Sequence, residues 1–206
     1  MVSIDTVYQK VLTFANKEQR GYITPQEFNM FADQAQKEIF EQYFYDLNQF
    51  SRVPGNSSEY SNIVDNINEK IAVFETTGTG ATLASDLYRL GTVSVDSLEV
   101  EEVQPNELLY MNKSAILKPH ARRRVYVRTG NTITISPATS STVNYTYIQT
   151  PSQPQWGYVV VLGKAMYDMD NTTDFDLHAA EESELVYKIL KFAGISMKAL
   201  DIMRAG

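Results

Sequence analysis

The chain has no cysteine in its 206 residues. That excludes disulfides, thiolate catalysis and cysteine-ligated zinc. Histidine is nearly missing as well: His120 and His178 are the only two, and no recognisable partner motif surrounds either. Positive charge is short, with 18 Lys and Arg against 25 Asp and Glu and a net charge of −7. General nucleic-acid binding needs a basic footprint, so it is not expected. No apolar run approaches the ~18–20 residues of a membrane-spanning helix. The opening MVSIDTVYQK has no charged stretch followed by an apolar core, so no signal peptide is expected and the chain should stay in the cytoplasm where it is made. The sequence also lacks G-x-S-x-G, a P-loop, G-x-G-x-x-G and H-E-x-x-H. Thr77 to Gly80 carries two glycines but not the lysine of a phosphate loop. A Ser-His-Asp set assembled from distant residues leaves no mark in one sequence, and nothing points to one here. The expectation is a protein that is not an enzyme, with no catalytic residue, metal or cofactor.

What is present is a globular composition, 43% hydrophobic and 21% charged, which is too apolar for a disordered chain. Its length suffices for a sizeable core without staples. The stretch from Tyr22 to Phe50 is the strongest element. Thr24 stands as N-cap, Pro25 opens the helix, and Glu27 completes a capping box. Phe28, Phe31, Ala32, Ala35, Ile39, Tyr43, Leu47 and Phe50 then recur at helical spacing. At ~1.5 Å per residue this predicts a rod of roughly 40 Å. An aromatic rod that long has to be covered by the rest of the chain.

A first helix is predicted from Ser3 to about Glu18, with Ile4, Val7, Tyr8, Val11, Leu12 and Ala15 on one face. A third is predicted from about Ser58 to Phe74. Thr76 to Thr82 reads as a flexible link. Leu87–Val95, Leu98–Val103 and Val143–Gln149 are strand-like, and Pro105–Met111 fits a short helical turn. Val125–Arg128 and Thr132–Ile135 flank a glycine turn and form a hairpin. Tyr158–Leu162 is a short apolar run. The end is helical again, with Val186, Ile189, Leu190 and Ala193 as the buried stripe and Gly194 as an end, a kink or an interruption. The fold class expected is α+β. N- and C-terminal helices (1–75 and 177–206) pack as a bundle with a β-rich middle (83–165) inserted, in one structural unit overall.

Three clusters compete for function. Asn16–Glu27 imitates an EF-hand loop, with Asn16, Glu18 and Arg20 at loop positions 1, 3 and 5, Gly21 at 6 and Glu27 at 12. Arg20 stands where an oxygen ligand is needed, and the capping box accounts for Thr24 and Glu27. Asp168, Asp170, Asp174 and Asp176 can hold a hard cation, or can satisfy local backbone donors in a turn before the helix. His120 and Arg122, Arg123 and Arg124 form the basic cluster, suited to nucleic acid, to an acidic protein partner or to open solvent, and the acidic balance of the chain favours the protein partner over DNA. The 13 tyrosines and nine phenylalanines suit a core and surfaces buried between subunits.

Three segments together carry a resemblance: GYITPQEFNMFADQAQKEIFEQYF, PQWGYVVV and the ending FDLHAAEESELVYKILKFAGI, with a β-rich middle between the first and second. The chain resembles the neck proteins of short-tailed bacteriophages, the head-to-tail connectors of crAss-like and marine podovirus type. It is similar in plan to the adaptor, or tubular tail, protein below the portal. The resemblance implies a virion structural protein of the neck or tail. Its partners would be itself in a twelvefold ring, the portal protein, a neighbouring tail ring or nozzle protein, and genome DNA passing through the lumen without sequence-specific binding. It also implies a portal contact, placed on Ile195, Met197, Lys198, Leu200, Ile202, Met203 and Arg204. Inter-subunit contacts are placed on Arg122, Arg123, Arg124, Trp156 and Tyr158. Other classes stay open: another virion ring such as a tail nozzle or head-completion protein, a glycan- or receptor-binding tail module stacking sugars on Trp156, Tyr158 and Tyr145, or a metal-dependent hydrolase using the four aspartates.

Overall fold

The computed structural model describes residues 1–17, 23–51 and 58–194. It is α+β, with five helices and a six-stranded sheet among the described residues. The chain divides into two compact units, 1–73 with 151–206, and 74–150. The expected β-rich limits of 83–165 are therefore displaced at both ends, for reasons visible in the packing of each unit.

In the first unit, α1 (Ile4–Lys17) and α2 (Pro25–Ser51) follow the apolar spacing. The capping box at α2 is formed: Glu27 Oε2 accepts from Thr24 N at 3.0 Å and from Thr24 Oγ1 at 2.8 Å, and Glu27 N donates to Thr24 Oγ1 at 3.3 Å. Phe28, Ala32, Ala35, Ile39 and Tyr43 are buried along one stripe. Helix α2 packs against α3 (Ser58–Ala72) and α5 (Glu182–Phe192), and α1 packs against α5. Helix α5 runs to Phe192, and Gly194, at φ +71°, steps into the left-handed region with its N–H on Lys191 O at 3.1 Å. The stretch from Ile195 on lies outside the described residues.

Gln36 is a polar residue inside this core, fully buried on α2. Its Nε2 donates to Ser152 O at 2.6 Å, and its Oε1 accepts from Asp176 N at 3.0 Å. One side chain thus satisfies backbone groups of two irregular segments. A partly buried ionic cluster joins α2, α3 and the start of α5. Lys70 pairs with the buried Glu181, and Lys188 pairs with Glu38 at 2.9 Å. Burial, and then the Glu181 and Glu184 carboxylates nearby, push the Tyr43 hydroxyl pKa up.

The second unit is a sheet of order β1-β6-β2-β3-β4-β5. The strands are β1 (Glu75–Thr79), β2 (Leu87–Val95), β3 (Leu98–Glu102), β4 (Val125–Thr129), β5 (Thr132–Ser136) and β6 (Val143–Gln149). All neighbours are antiparallel except β3 and β4. Between β3 and β4 lies α4 (Pro105–Lys113). The stretch expected as a flexible link is the edge strand β1, paired along its length with β6. Gly78 permits this, since the Tyr145 ring lies where a Cβ would stand. The segment after β1 then reaches the opposite edge: Ile133 N donates to Ala81 O and Leu83 N to Asn131 O, both at 2.8 Å. The sheet curls so that 81–83 meets the start of β5 through these two bonds and the bridge Thr82↔Thr132, covering part of an edge that would otherwise invite pairing with other chains. Val93, Val95, Val100, Ile133, Tyr145 and their neighbours fill the inside, and Val103, Met111, Val125 and Val127 form a smaller cluster with Leu108 of α4.

Candidate interaction surface

In the first unit, Tyr158–Val161 forms β7, and it pairs with β8 (Lys164–Tyr167) in a separate two-stranded sheet. The pairs are Tyr158↔Tyr167, Val159↔Met166, Val160↔Ala165 and Val161↔Lys164. Leu162 and Gly163 make the turn at φ +51° and +77°. Two successive positive φ values are the type I′ geometry that Asn-Gly or Asp-Gly adopts without strain, and leucine does not. The side chain of Leu162 is 98% exposed. Val159, Val160, Val161 and Met166 are exposed too, and they fall on both faces of the ribbon. The result is an apolar finger with two unpaired edges.

Its base is built on Trp156, which is 3% exposed. The indole ring packs 4.4 Å from Tyr8, 6.0 Å from Tyr158 and 5.7 Å from Tyr167, centroid to centroid. Its Nε1 donates to Asp5 Oδ1 at 2.9 Å, and its backbone N donates to Asn29 Oδ1 at 2.8 Å. This anchoring keeps 158–167 with the helical unit and shortens the β-rich stretch at its end. It also corrects the expectation for Trp156. The ring is spent inside its own unit and offers no face to a neighbouring subunit or to a sugar. Tyr145 is likewise buried, in the core of the second unit. Tyr158 is partly exposed at the base of the finger.

The basic cluster lies on the second unit, beside an open cleft of about 520 Å³ lined by Glu99, Glu101, Glu102, Arg122, Arg123, Arg124 and Tyr126 among others. Arg124 is already engaged: its Nη1 meets Asp96 Oδ2 at 2.9 Å, and Ser141 Oγ donates to the same oxygen at 3.1 Å. The Ser141 hydroxyl and the Arg124 guanidinium hold the Asp96 carboxyl below its ordinary pKa. Tyr126 donates to Glu102 Oε2 at 3.2 Å, and burial, followed by that carboxylate, pushes its pKa up to about 12. His120 Nδ1 accepts from Arg122 N at 3.3 Å, closing a tight turn. Arg124 is therefore a fold contact, in contrast to the expectation, whereas Arg122 and Arg123 remain exposed.

Three of the four aspartates spend their carboxylates on local donors, and Asp170 contributes its backbone N–H to one of these turns. Asp168 accepts from Asp170 N at 3.1 Å and Asn171 Nδ2 at 2.7 Å, Asp174 from Ile4 N at 2.8 Å, and Asp176 from Ser152 N at 2.7 Å and Ser152 Oγ at 2.6 Å. They hold turns and chain entries in place. Among the described residues no three His, Asp or Glu side chains are grouped to hold a metal ion, and no helix is long and apolar enough to cross a membrane. Of the EF-hand-like stretch, Glu27 is spent in the capping box, and Glu18, Arg20 and Gly21 lie outside the described residues. The portal-contact residues Ile195, Met197, Lys198, Leu200, Ile202, Met203 and Arg204 also lie outside them.

The sequence predicts β7 but not β8, the turn or the exposed finger they make. The signal available was Leu162-Gly163 between two apolar stretches, a two-residue turn ending in glycine. No protein-family model matches the chain, and no curated protein matches it.

Proposed function

We propose that the chain is a bacteriophage virion structural protein, an adaptor ring that joins the portal vertex to the tail and lines the DNA channel. The observation that carries this reading is the exposed apolar finger, which is a liability on a protein that works alone and an asset on one that assembles. In this reading the terminal helices form a bundle around α2 and the 74–150 unit is an insertion into it. The acidic balance of the chain, −7 overall, supports a lumen that repels phosphate and lets DNA slide. Arg122 and Arg123 are left to pair with carboxylates of an adjoining ring, and 195–206 is the segment assigned to the portal.

The test is mass by light scattering, for the chain alone and mixed with the assembled portal protein of the same genome. A discrete ring-on-portal complex is expected, and deletion of 195–206 should abolish it without changing the circular dichroism of the fold. Failure to bind an intact portal would overturn the adaptor reading.

A further inference from the structure

The finger offers backbone hydrogen-bonding groups as well as apolar side chains. Residues of an antiparallel pair alternate between bonded partners, whose N–H and C=O face each other, and non-bonded partners, whose groups face away. Asp168 N donates to Gly157 O at 2.9 Å, so these two are a bonded pair. Counting along the ribbon, Val159↔Met166 and Val161↔Lys164 are bonded pairs as well. Tyr158 and Val160 therefore turn their backbone groups away from β8, and Ala165 and Tyr167 turn theirs away from β7. No backbone hydrogen bond among the described residues uses these outward groups. We propose that the β7 edge of one copy pairs with the β8 edge of a second copy, antiparallel, with Val160 opposite Ala165 and Tyr158 opposite Tyr167. The inference rests on the self-association proposed above and names the backbone groups that perform it.

The first argument for a second copy is complementarity. Strands β7 and β8 are antiparallel partners over four consecutive pairs. The β8 of a second copy brings the same side chains to the other edge of β7. The new cross-strand neighbours repeat the pairs already made: Tyr with Tyr, Val with Met, Val with Ala, and Val161 with Lys164. No like charges meet, and every pair but the last is apolar or aromatic.

The second argument is the number of edges. Both sides of the ribbon are bare, and a foreign strand would satisfy one and leave the other. A head-to-tail contact uses one edge of each copy, so in a closed ring every copy has both edges paired. The third is the lack of protection. Edge strands that stay unpaired are blunted by proline, bulges or charge. Residues 158–167 contain no proline, pair without a register shift and carry one charge, Lys164, beside the turn. Three successive valines favour a strand, and a two-stranded ribbon gains stability from further strands. The fourth is access. Leu162 at the tip is almost wholly exposed, so the ribbon projects. Adjacent ribbons would repeat every two strand spacings, ~10 Å, which a projecting ribbon allows at the narrow side of a ring.

The absence of cysteine makes the contact easy to trap. Val159 and Met166 have exposed side chains. Across the new contact they are a non-bonded pair with Cα atoms about 4.5 Å apart, within reach of a disulfide. The experiment places Val159→Cys and Met166→Cys on separate full-length chains, verifies the fold of each by circular dichroism, mixes them equally and oxidises with copper-phenanthroline. A disulfide-linked dimer of the 23.3 kDa subunit is expected on a non-reducing gel. Neither variant alone should give it, because like positions on adjacent ribbons are ~10 Å apart and out of disulfide reach. Adding Val160→Pro to the Val159→Cys chain removes an outward N–H and no bond of the ribbon, a place where an edge strand tolerates proline. It should lower the dimer yield about tenfold and leave the circular dichroism spectrum unchanged.

No dimer from the mixture, an equal dimer from either variant alone, or an unchanged yield with Val160→Pro in a folded chain would each overturn the proposal. A dimer from chains that ignore the portal would sink the adaptor reading and leave this contact standing. Portal binding without the dimer would do the reverse.

Discussion

Replacing Trp156 should weaken the first unit more than any other single change to the finger region, and the amount can be worked out from its surroundings. The ring is 3% exposed and packs on Tyr8, Tyr158 and Tyr167. Truncating a buried Trp to Ala costs about 3–5 kcal/mol. Each aromatic pair contributes about 0.5–1.5 kcal/mol beyond its area. The indole N–H to the Asp5 carboxylate is a hydrogen bond to a charged group, worth about 1.5–3 kcal/mol. The truncation figure already contains the ring packing and the hydrogen bond, which place this site at its upper end, so Trp156→Ala should cost about 4–5 kcal/mol, against a total stability of about 5–15 kcal/mol for a domain. Trp156→Phe keeps a ring among the tyrosines and loses the donor, so it should cost about 2 kcal/mol. The assay is urea unfolding followed by far-ultraviolet circular dichroism for all three proteins. The native chain can also be followed by fluorescence: its only tryptophan lies in the first unit and reports that unit. A loss below about 1 kcal/mol for Trp156→Ala would refute the reasoning, since ring packing and the Asp5 bond would then contribute almost nothing.

Two further predictions concern the same unit. Burial and then the Glu181 carboxylate raise the pKa of Glu184 in the folded state. A raised carboxyl pKa contributes stability below its unfolded value of 4.5 and loses it as pH rises through the folded value. Glu184→Gln should therefore raise the melting temperature slightly at pH 7 and leave it unchanged near pH 4, the gain held to a few tenths of a kcal/mol by solvent screening. An equal gain at both pH values would show that titration is not the cause. At Gly157, a Cβ would lie 2.5 Å from Asn171 O and 2.6 Å from Asp168 O. Both obstacles are backbone, so Gly157→Ala should cost about 1–3 kcal/mol and show it as a lower urea midpoint. An unchanged midpoint would mean that the base of the finger yields freely.

Local signals were legible where one segment carries all of its own instructions. The Thr24–Glu27 box, the apolar stripe of α2 and the Val125–Ser136 hairpin are written in consecutive residues and occur where the spacing puts them. Signals that depend on a distant partner were not legible. Thr76 to Thr79 looks like linker because its glycine is read alone, whereas Gly78 is the space the Tyr145 ring requires. Lys164–Tyr167 has no strand pattern of its own and becomes a strand by pairing with β7. Trp156 was placed at a surface on its residue type, and its burial is decided by Tyr8, Asp5 and Asn29, more than a hundred positions earlier. Gln36 sits in the polar run Asp33 to Glu38, where it looks like a solvated residue and gives no hint of the two backbone groups it serves. The candidate surfaces suffered most, since a finger is defined by what fails to cover it.

The 74–150 unit has a consequence for how such a chain can change over time. It begins on β1 and ends on β6, and these strands are direct neighbours, with Glu75 opposite Ile148. Entry and exit are thus separated by about one strand spacing, ~5 Å. A segment whose ends lie side by side behaves as a cassette. It can be lengthened, shortened or exchanged for another β unit without altering the distance that the remaining chain must bridge. The helical unit, with its exposed finger, can then stay constant while the inserted part is fitted to a different neighbour.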